Sequence, residues 1–351
     1  MQLPWNKNDF DEKGIDKSYG NLYGCLNFYE GYVIRRGSKE AEGVKGSKNL
    51  PGEKRKIPRN VLNEWKWGYL MVAPTIMGLI ILNIIPIIQT VYLSFFKSGA
   101  FGRGNIFVGL KNYKIMLSDI QTWYAVRNTL VYTCLTVPAA IAIALVIAVV
   151  LNRQIRGKGI YRTIYFVPMV AAPAAVTMVW RWLYNYQFGL INHILVNLGL
   201  AKVKWTESPG IALFSIAVIG IWSSIGYCMV ILLAGLQEIP GDFYEASDID
   251  GATAIKQFFN ITLPLVSPTL FFVAVTSIIT AMQVFDVIFM MIDVSNPAYN
   301  RTVSLVYLFY NNSFKYSNKG YGSSIVVLLL AIIMIITIIQ MKVQKKWVNY
   351  M

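Results

Sequence analysis

The sequence predicts an all-α integral membrane protein with about six transmembrane helices, and three observations carry that prediction. Of its 351 residues, 55% are hydrophobic and only 14% charged, a balance outside that of water-soluble domains. The apolar residues fall in long runs, and a helix crosses a hydrocarbon core of about 30 Å with about 20 mostly apolar residues. The basic residues behind the net charge of +14 flank those runs instead of forming one patch, which marks topology and not a nucleic-acid surface.

In chain order, the first 66 residues hold thirteen Lys or Arg and read as a basic cytoplasmic tail. Met1 to about Asn49 lacks the apolar core of a signal peptide; it reads as a polar tail, either disordered or the product of an upstream start codon. Six spans follow, near Tyr69 to Phe95, Thr129 to Leu151, Ile160 to Leu183, Ile211 to Leu236, Leu265 to Ile292 and Ser323 to Met341. They define a membrane domain over residues 67–347, with 348–351 as a second cytoplasmic tail. Pro74 and Pro86 predict gentle kinks in the first span, since neighbouring groups can take up the freed carbonyls.

The loop from Lys97 to Arg127 contains several glycines and predicts an extracellular segment with a short helix near Lys111 to Leu117. Gly99 to Gly104 imitates half of a phosphate loop, but Asn105 stands where the lysine belongs. The link of Arg153, Arg156, Lys158 and Arg162 is short and cationic, predicting that spans two and three form an antiparallel hairpin on the cytoplasmic side. Pro168 and Pro173 predict a bent third span. At its far end Trp180, Trp182, Tyr184 and Tyr186 form either an interfacial belt or a stacking surface for solute. Lys342, Lys345 and Lys346 put the end of the sixth span back in the cytoplasm. Cys25, Cys134 and Cys228 are too scattered for a disulfide framework or thiolate metal site, and the lone His193 makes no zinc constellation.

Between spans four and five, residues 237–263 are longer than a turn requires. Pro240 and Gly241 break the preceding span, Asp242 is placed to cap a new helix, and acidic residues in its first turns suit the positive end of the helix dipole. Gly251 interrupts that helix. A second, Thr253 to Phe259, offers Ile255, Phe258 and Phe259 as an apolar stripe, and Pro264 suits the first turn of the next span. Such a knob fits a groove on a cytoplasmic partner. A helix lying on anionic lipid would be basic, and Glu245, Asp248 and Asp250 oppose that.

Glu245, Ala246, Ser247, Asp250, Gly251 and Ala252, followed by Ile261, Thr262, Leu263 and Pro264, closely resemble the EAA motif of permease subunits of bacterial ABC importers. The resemblance runs from about Tyr69 to Tyr350, with further matches to the maltose-type carbohydrate branch at Phe107 to Tyr113, Asn128 and Thr129, Arg156 to Arg162, Ala234 to Pro240, Phe285 with Asp286, and Trp347 with Tyr350. It implies a type I permease fold with a cytoplasmic coupling helix. It further implies an ATP-binding cassette ATPase dimer docked on that helix, a second permease subunit, usually different from the first, and an extracellular solute-binding lipoprotein. Two departures stand out: Ser247 replaces the usual second alanine, and Ser295, Asn296, Pro297 replaces Gly-Gly-Pro after the fifth span.

No Walker lysine motif is present, so hydrolysis belongs to another chain, and this one is a transport subunit with no cofactor of its own. The solute path is expected at polar or aromatic groups at bilayer depth in spans three to five: Trp222, Ser223, Ser224, Tyr227, Thr280, Gln283 and Asp286. An intramembrane carboxylate costs about 2.5–3.5 kcal/mol by insertion scales and faces a bundle interior, so Asp286 is either a path residue or an interhelical hydrogen-bond partner. Ser223, Ser224 and Thr280 equally suit close helix packing. The alternatives are an ion-driven secondary transporter, which calls for repeats and paired carboxylates, and a membrane-embedded enzyme, which calls for a His and carboxylate cluster.

Overall fold

The computed structural model describes residues 59–98, 105–153 and 156–348. The tail before residue 59, Cys25, the glycines at 99, 102 and 104 and Tyr350 lie outside the described residues. The chain divides into two units, residues 1–74 and 75–351. The described part of the first is the beginning of helix α1 (Arg59–Leu79), which carries Pro74. Residues 80–84 then widen into a single π-helical turn before α2 (Ile85–Ser94). The cause is Pro86, which cannot donate to the preceding turn and whose ring crowds it.

Strands β1 (Phe96–Ser98) and β2 (Asn105–Phe107) pair antiparallel with Phe96 opposite Phe107, and α3 (Lys111–Ser118) follows. The short helix expected near Lys111 is present; the small hairpin was not anticipated. Asn112 ties this segment down, its Nδ2 donating to the carbonyls of Ser94 and Phe96 at 2.8 Å each.

Helix α4 (Ile120–Asn152) starts nine residues before the span expected at Thr129, because Asp119 caps it, its carboxylate accepting from the Gln121 N–H at 3.0 Å. The third span is not one helix. It comprises α5 (Lys158–Val170) and α6 (Pro173–Leu183), which meet at 96°. Pro173 has no N–H to continue a helix, so Ala171 and Ala172 go extended. After α7 (Leu190–Asn197) comes α8 (Ala212–Gln237), close to its expected bounds. The exposed loop contains α9 (Asp242–Ile249) and α10 (Ala254–Gln257), a π turn over 258–262 and α11 (Leu263–Leu265).

The fifth span is α12 (Ser267–Met282), interrupted at 283–285 and resumed as α13 (Asp286–Met291). Two short helices, α14 (Tyr299–Thr302) and α15 (Leu305–Tyr310), precede α16 (Lys319–Trp347). Among the described residues, five helices are long and apolar enough to cross a membrane, or six if α5 and α6 count as one span.

The expected hairpin of spans two and three is corrected by the packing. Helix α4 lies mainly along α8, and α5 also packs on α8. The connection length predicted neighbours in the chain, whereas helix contact follows where backbones can approach. Gly226 supplies that approach, since a Cβ there would overlap the Tyr165 carbonyl. The aromatic belt also needs correction. Trp182 is exposed, but Tyr184 is buried and donates to the Ser215 carbonyl at 3.1 Å.

Two packed cores form along α4 and α8. One contains Ala125 and Tyr132 of α4, Ala212, Ile216 and Ile219 of α8, and residues of α12 to α16. The other contains Ala144, Ala148 and Leu151 of α4 with Cys228, Leu232 and Leu236 of α8 and Val273 of α12. Gly226→Val should destabilise the fold by about 1–3 kcal/mol through overpacking, seen as a lower thermal midpoint of the detergent-purified chain. Gly78→Val, at a position with open space around it, should shift that midpoint far less; equal midpoints would contradict the close approach.

Candidate functional site

A cavity of about 530 Å³ opens at the waist between the two cores. Helix α8 contributes Gly220, Ser223, Ser224 and Tyr227, spaced i, i+3, i+4, i+7 and so on one face. The wall on α4 is Tyr132, Thr136 and Ala140, and both broken spans reach the cavity through Pro168, Ala171 and Pro173 and through Gln283, Phe285 and Asp286. Interrupted helices leave carbonyls and N–H groups without intrahelical partners, which membrane proteins tolerate where the chain lines a cavity.

Of the residues expected on the solute path, the structure brings Ser223, Ser224, Tyr227, Thr280, Gln283 and Asp286 together around this cavity. Trp222 is not among them. One residue from Ser223 is about 100° around the helix, and Trp222 faces outward, 42% exposed, with its ring edge-on to Trp180 at 5.8 Å. Tyr132, Thr136, Pro168 and Ser277 line the cavity and were missed. Thr136 was findable as a hydroxyl within the apolar second span; Pro168 had been read only as a bend.

Asp286 begins α13 and does not lie mid-helix, a place where the helix dipole favours a carboxylate. Among the described residues its carboxylate has no hydrogen bond or ion pair, so the interhelical-bond alternative finds no partner. The side chains of Ser223, Ser224 and Gln283 are likewise uncommitted there, whereas the Tyr227 hydroxyl donates to Thr276 at 3.4 Å. Beyond Phe285, a ring set of Phe289, Tyr307 and Tyr310 closes together with centroids 5.0–6.1 Å apart. Burial pushes the Tyr307 hydroxyl up to about 12, so it stays protonated and donates to the Ile292 carbonyl at 3.1 Å. Asn128 and Thr129 hold this region to α4. The Asn128 Nδ2 donates to Asn300 and Val303 carbonyls at 3.1 Å, and Thr129 Oγ1 accepts from the Leu305 N–H at 3.1 Å.

The second feature is the helix pair α9 and α10. Gly251, at φ +70°, ends α9; its N–H donates to Asp248 O at 3.1 Å and the Ala252 N–H to Ser247 O at 3.0 Å, the Schellman pattern that favours glycine. Thr253 caps α10, accepting from Lys256 N–H. Asp242 is not the cap expected for it. Gly241 holds that position without a side-chain bond, and Asp242 with Glu245 lies in the first turn.

Ser247 does more than stay small: its hydroxyl donates to Tyr244 O at 2.8 Å and accepts from Gln257 Nε2 at 2.9 Å. Gln257, which sequence reasoning passed over, also donates to Asp248. Tyr244 bonds Thr262 at 3.0 Å. Tyr244, Phe258 and Leu263 pack on the second core. Ile261 and Pro264 are half-buried along the same return segment. Glu245, Ala246 and Asp250 are exposed, and so are Ile249 at 88%, Ile255 at 71% and Phe259 at 59%. Ile249, between two aspartates, was not singled out by its sequence.

Broken spans around a polar cavity, with a braced and outward-facing helix pair beside them, define a membrane-embedded solute-transport subunit. The model of the family "binding-protein-dependent transport system inner membrane component" matches residues 126–349, and the chain belongs to that family. It is similar to the trehalose/maltose transport system permease protein MalF of Thermococcus litoralis, 34% identical over 80% of this chain and 94% of that one. It is also similar to the osmoprotective compounds uptake permease protein GgtC of Synechocystis, 36% identical over 79% of this chain and 99% of that one. Among solved structures, a bacterial ABC transporter involved in the import of the acidic polysaccharide alginate shares the fold, with a TM-score of 0.72 at 19% identity, covering 83% of this chain and 99% of that one. The chain is therefore a multi-pass ABC transporter permease, a transport subunit and not an enzyme. The ion-driven alternative finds no support.

Gly251→Ala should cost about 1–2 kcal/mol for a side chain held in the left-handed region. Amide hydrogen exchange across 242–257 should then quicken about 5–30-fold, and unchanged exchange would contradict the strained turn.

Proposed function

We propose that this permease forms one half of a pore that imports a sugar or related small polyhydroxylated solute, handed over by an extracellular binding protein. ATP hydrolysis on a separate ATPase pair drives it. The chain carries no cofactor of its own; nucleotide belongs to the partner. The second half of the pore is a different permease. Both termini and the α9–α10 loop face the cytoplasm, as the basic flanks argue, and the segment around α3 faces outside.

The observation that carries this reading is the helix pair itself. Ile249 and Ile255 stand bare on a loop that also displays Glu245 and Asp250, while Tyr244, Phe258 and Leu263 root it in the core shared by α4, α8 and α12. Exposed apolar groups ringed by charge mark a protein partner. A rigid root turns a push on the loop into a movement of the helices behind it. In this mechanism, closure of the ATPase pair draws the coupling helices together and swings the pore from inward-facing to outward-facing, so that solute enters the cavity at Ser223, Tyr227, Thr280, Gln283 and Asp286. Glu245, Ala246, Ser247, Asp250, Gly251, Ala252, Ile261, Leu263 and Pro264 transmit the motion.

Glu245→Lys and Ile249→Glu should each abolish uptake of radiolabelled neutral sugars into permease-deleted cells complemented with the variant, with the protein inserted at normal levels on a membrane immunoblot. Unimpaired uptake in both would sink the coupling role.

A further inference from the structure

We propose that a second cavity, at the root of the α9–α10 pair, is a binding site for the phosphate of a small phosphate ester, whose occupation braces that pair against α4. The site is separate from the solute path. Only its cytoplasmic placement rests on the proposed orientation.

The cavity measures about 230 Å³ and lies between the end of α4, with Asn152 and Arg153, and the helix pair, with Tyr244, Gln257 and Phe258. The residues bared for a protein partner, Ile249 and Ile255, do not line it. Arg153 is its one charged group. The loop around it is acidic, yet Asp242, Glu245, Asp248 and Asp250 all stay outside the lining. A basic residue at the end of a helix ordinarily serves the carbonyls of its last turn. Here Lys158 fills that role, its Nζ donating to the Asn152 carbonyl at 3.2 Å. The Arg153 guanidinium makes no hydrogen bond or ion pair among the described residues, nor does the Asn152 side-chain amide. A guanidinium with its fork unengaged pairs with phosphate through two parallel N–H donors, and Asn152 adds an amide N–H.

The other walls fix what the phosphate is attached to. Leu236 and Phe258 offer apolar surface, and Gln257, whose Nε2 is engaged by Ser247 and Asp248, keeps its Oε1 as an acceptor. That combination suits a carbon body with a hydroxyl, not bare inorganic phosphate. At about 230 Å³ the cavity is below the roughly 300–1,000 Å³ of sites for drug-sized ligands, which limits the body to about the size of one sugar ring. Phosphate esters of that size come as soluble sugar phosphates or as the glycerophosphate headgroups of anionic lipid, and the chemistry is shared. A ligand held by Arg153 and Gln257 at once joins α4 to α10, so it stabilises the helix pair against local opening.

The test measures binding of radiolabelled glucose 6-phosphate by equilibrium dialysis to the transporter assembled with its ATPase subunits in nanodiscs, which expose both faces. In phosphatidylcholine nanodiscs the probe should bind, and Arg153→Ala should weaken it about tenfold or more. Arg153→Lys, which keeps the charge without the fork, should fall between. Lys342→Ala, at an exposed basic residue near the end of α16, should leave binding unchanged. At ten times its Kd the probe should slow amide exchange over 254–262 about tenfold. In phosphatidylglycerol nanodiscs, the same protection without added probe, lost in Arg153→Ala, assigns the phosphate to lipid; probe binding without it assigns a soluble ester. Absence of both probe binding and lipid-dependent protection overturns the site, as does binding unaffected by Arg153→Ala or weakened equally by Lys342→Ala. Binding that leaves exchange over 254–262 unchanged overturns the bracing.

Discussion

The contact between α4 and α8 is the constraint on which the rest of the structure depends. Small residues let the two helices run close: Ala140, Ala144 and Ala148 on one, and on the other Gly220, where a Cβ would overlap the Tyr132 hydroxyl. In a bilayer no hydrophobic force presses helices together, so close van der Waals packing must do it. The pair forms two cores separated along its length. The cavity opens where Tyr132, Thr136 and Ala140 face Gly220, Ser223 and Tyr227, between one core at Ile216 and Ile219 and another at Leu232 and Leu236.

That spacing links the two candidate sites. The α9–α10 pair is rooted in the second core and the short helices α14 and α15 in the first, so the cavity is bordered on both sides by rigid layers. Packed interiors resist continuous deformation and favour discrete arrangements, which suits a passage that must be open to one side at a time. The breaks at Ala171–Ala172 and at 283–285 bring loosened backbone to the cavity wall.

Much of this was legible in the sequence where the signal is local. Span positions follow from length and hydropathy, which the bilayer makes decisive. The α9–α10 pair was legible because Gly251 and Thr253 act through their own turns. What escaped depends on tertiary contact. Pro168 and Pro173 announced a bend, but its 96° angle depends on different packing partners, α5 lying on α8 and α6 on α13. In a helix apolar all round, nothing in the pattern tells which face meets the cavity, so Trp222 was named although it lies outside the lining, and Tyr132 within it was left out. Asp242 was a reasonable cap by residue type, yet the chain turns one residue earlier at Gly241. Gln257 was overlooked because a polar residue on a surface helix carries no signal until its partners Ser247 and Asp248 are brought opposite it.

The most direct measurement is the reactivity of Ile249→Cys towards a membrane-impermeant maleimide, with Cys25, Cys134 and Cys228 replaced by Ser. Inside-out vesicles expose the cytoplasmic face, and the labelling is compared with and without the ATPase subunits assembled. The account predicts rapid labelling when the permease stands alone and strong protection once the ATPase is bound, because Ile249 is then seated in its partner. Equal labelling in the two preparations, or labelling only from the extracellular side, would contradict it.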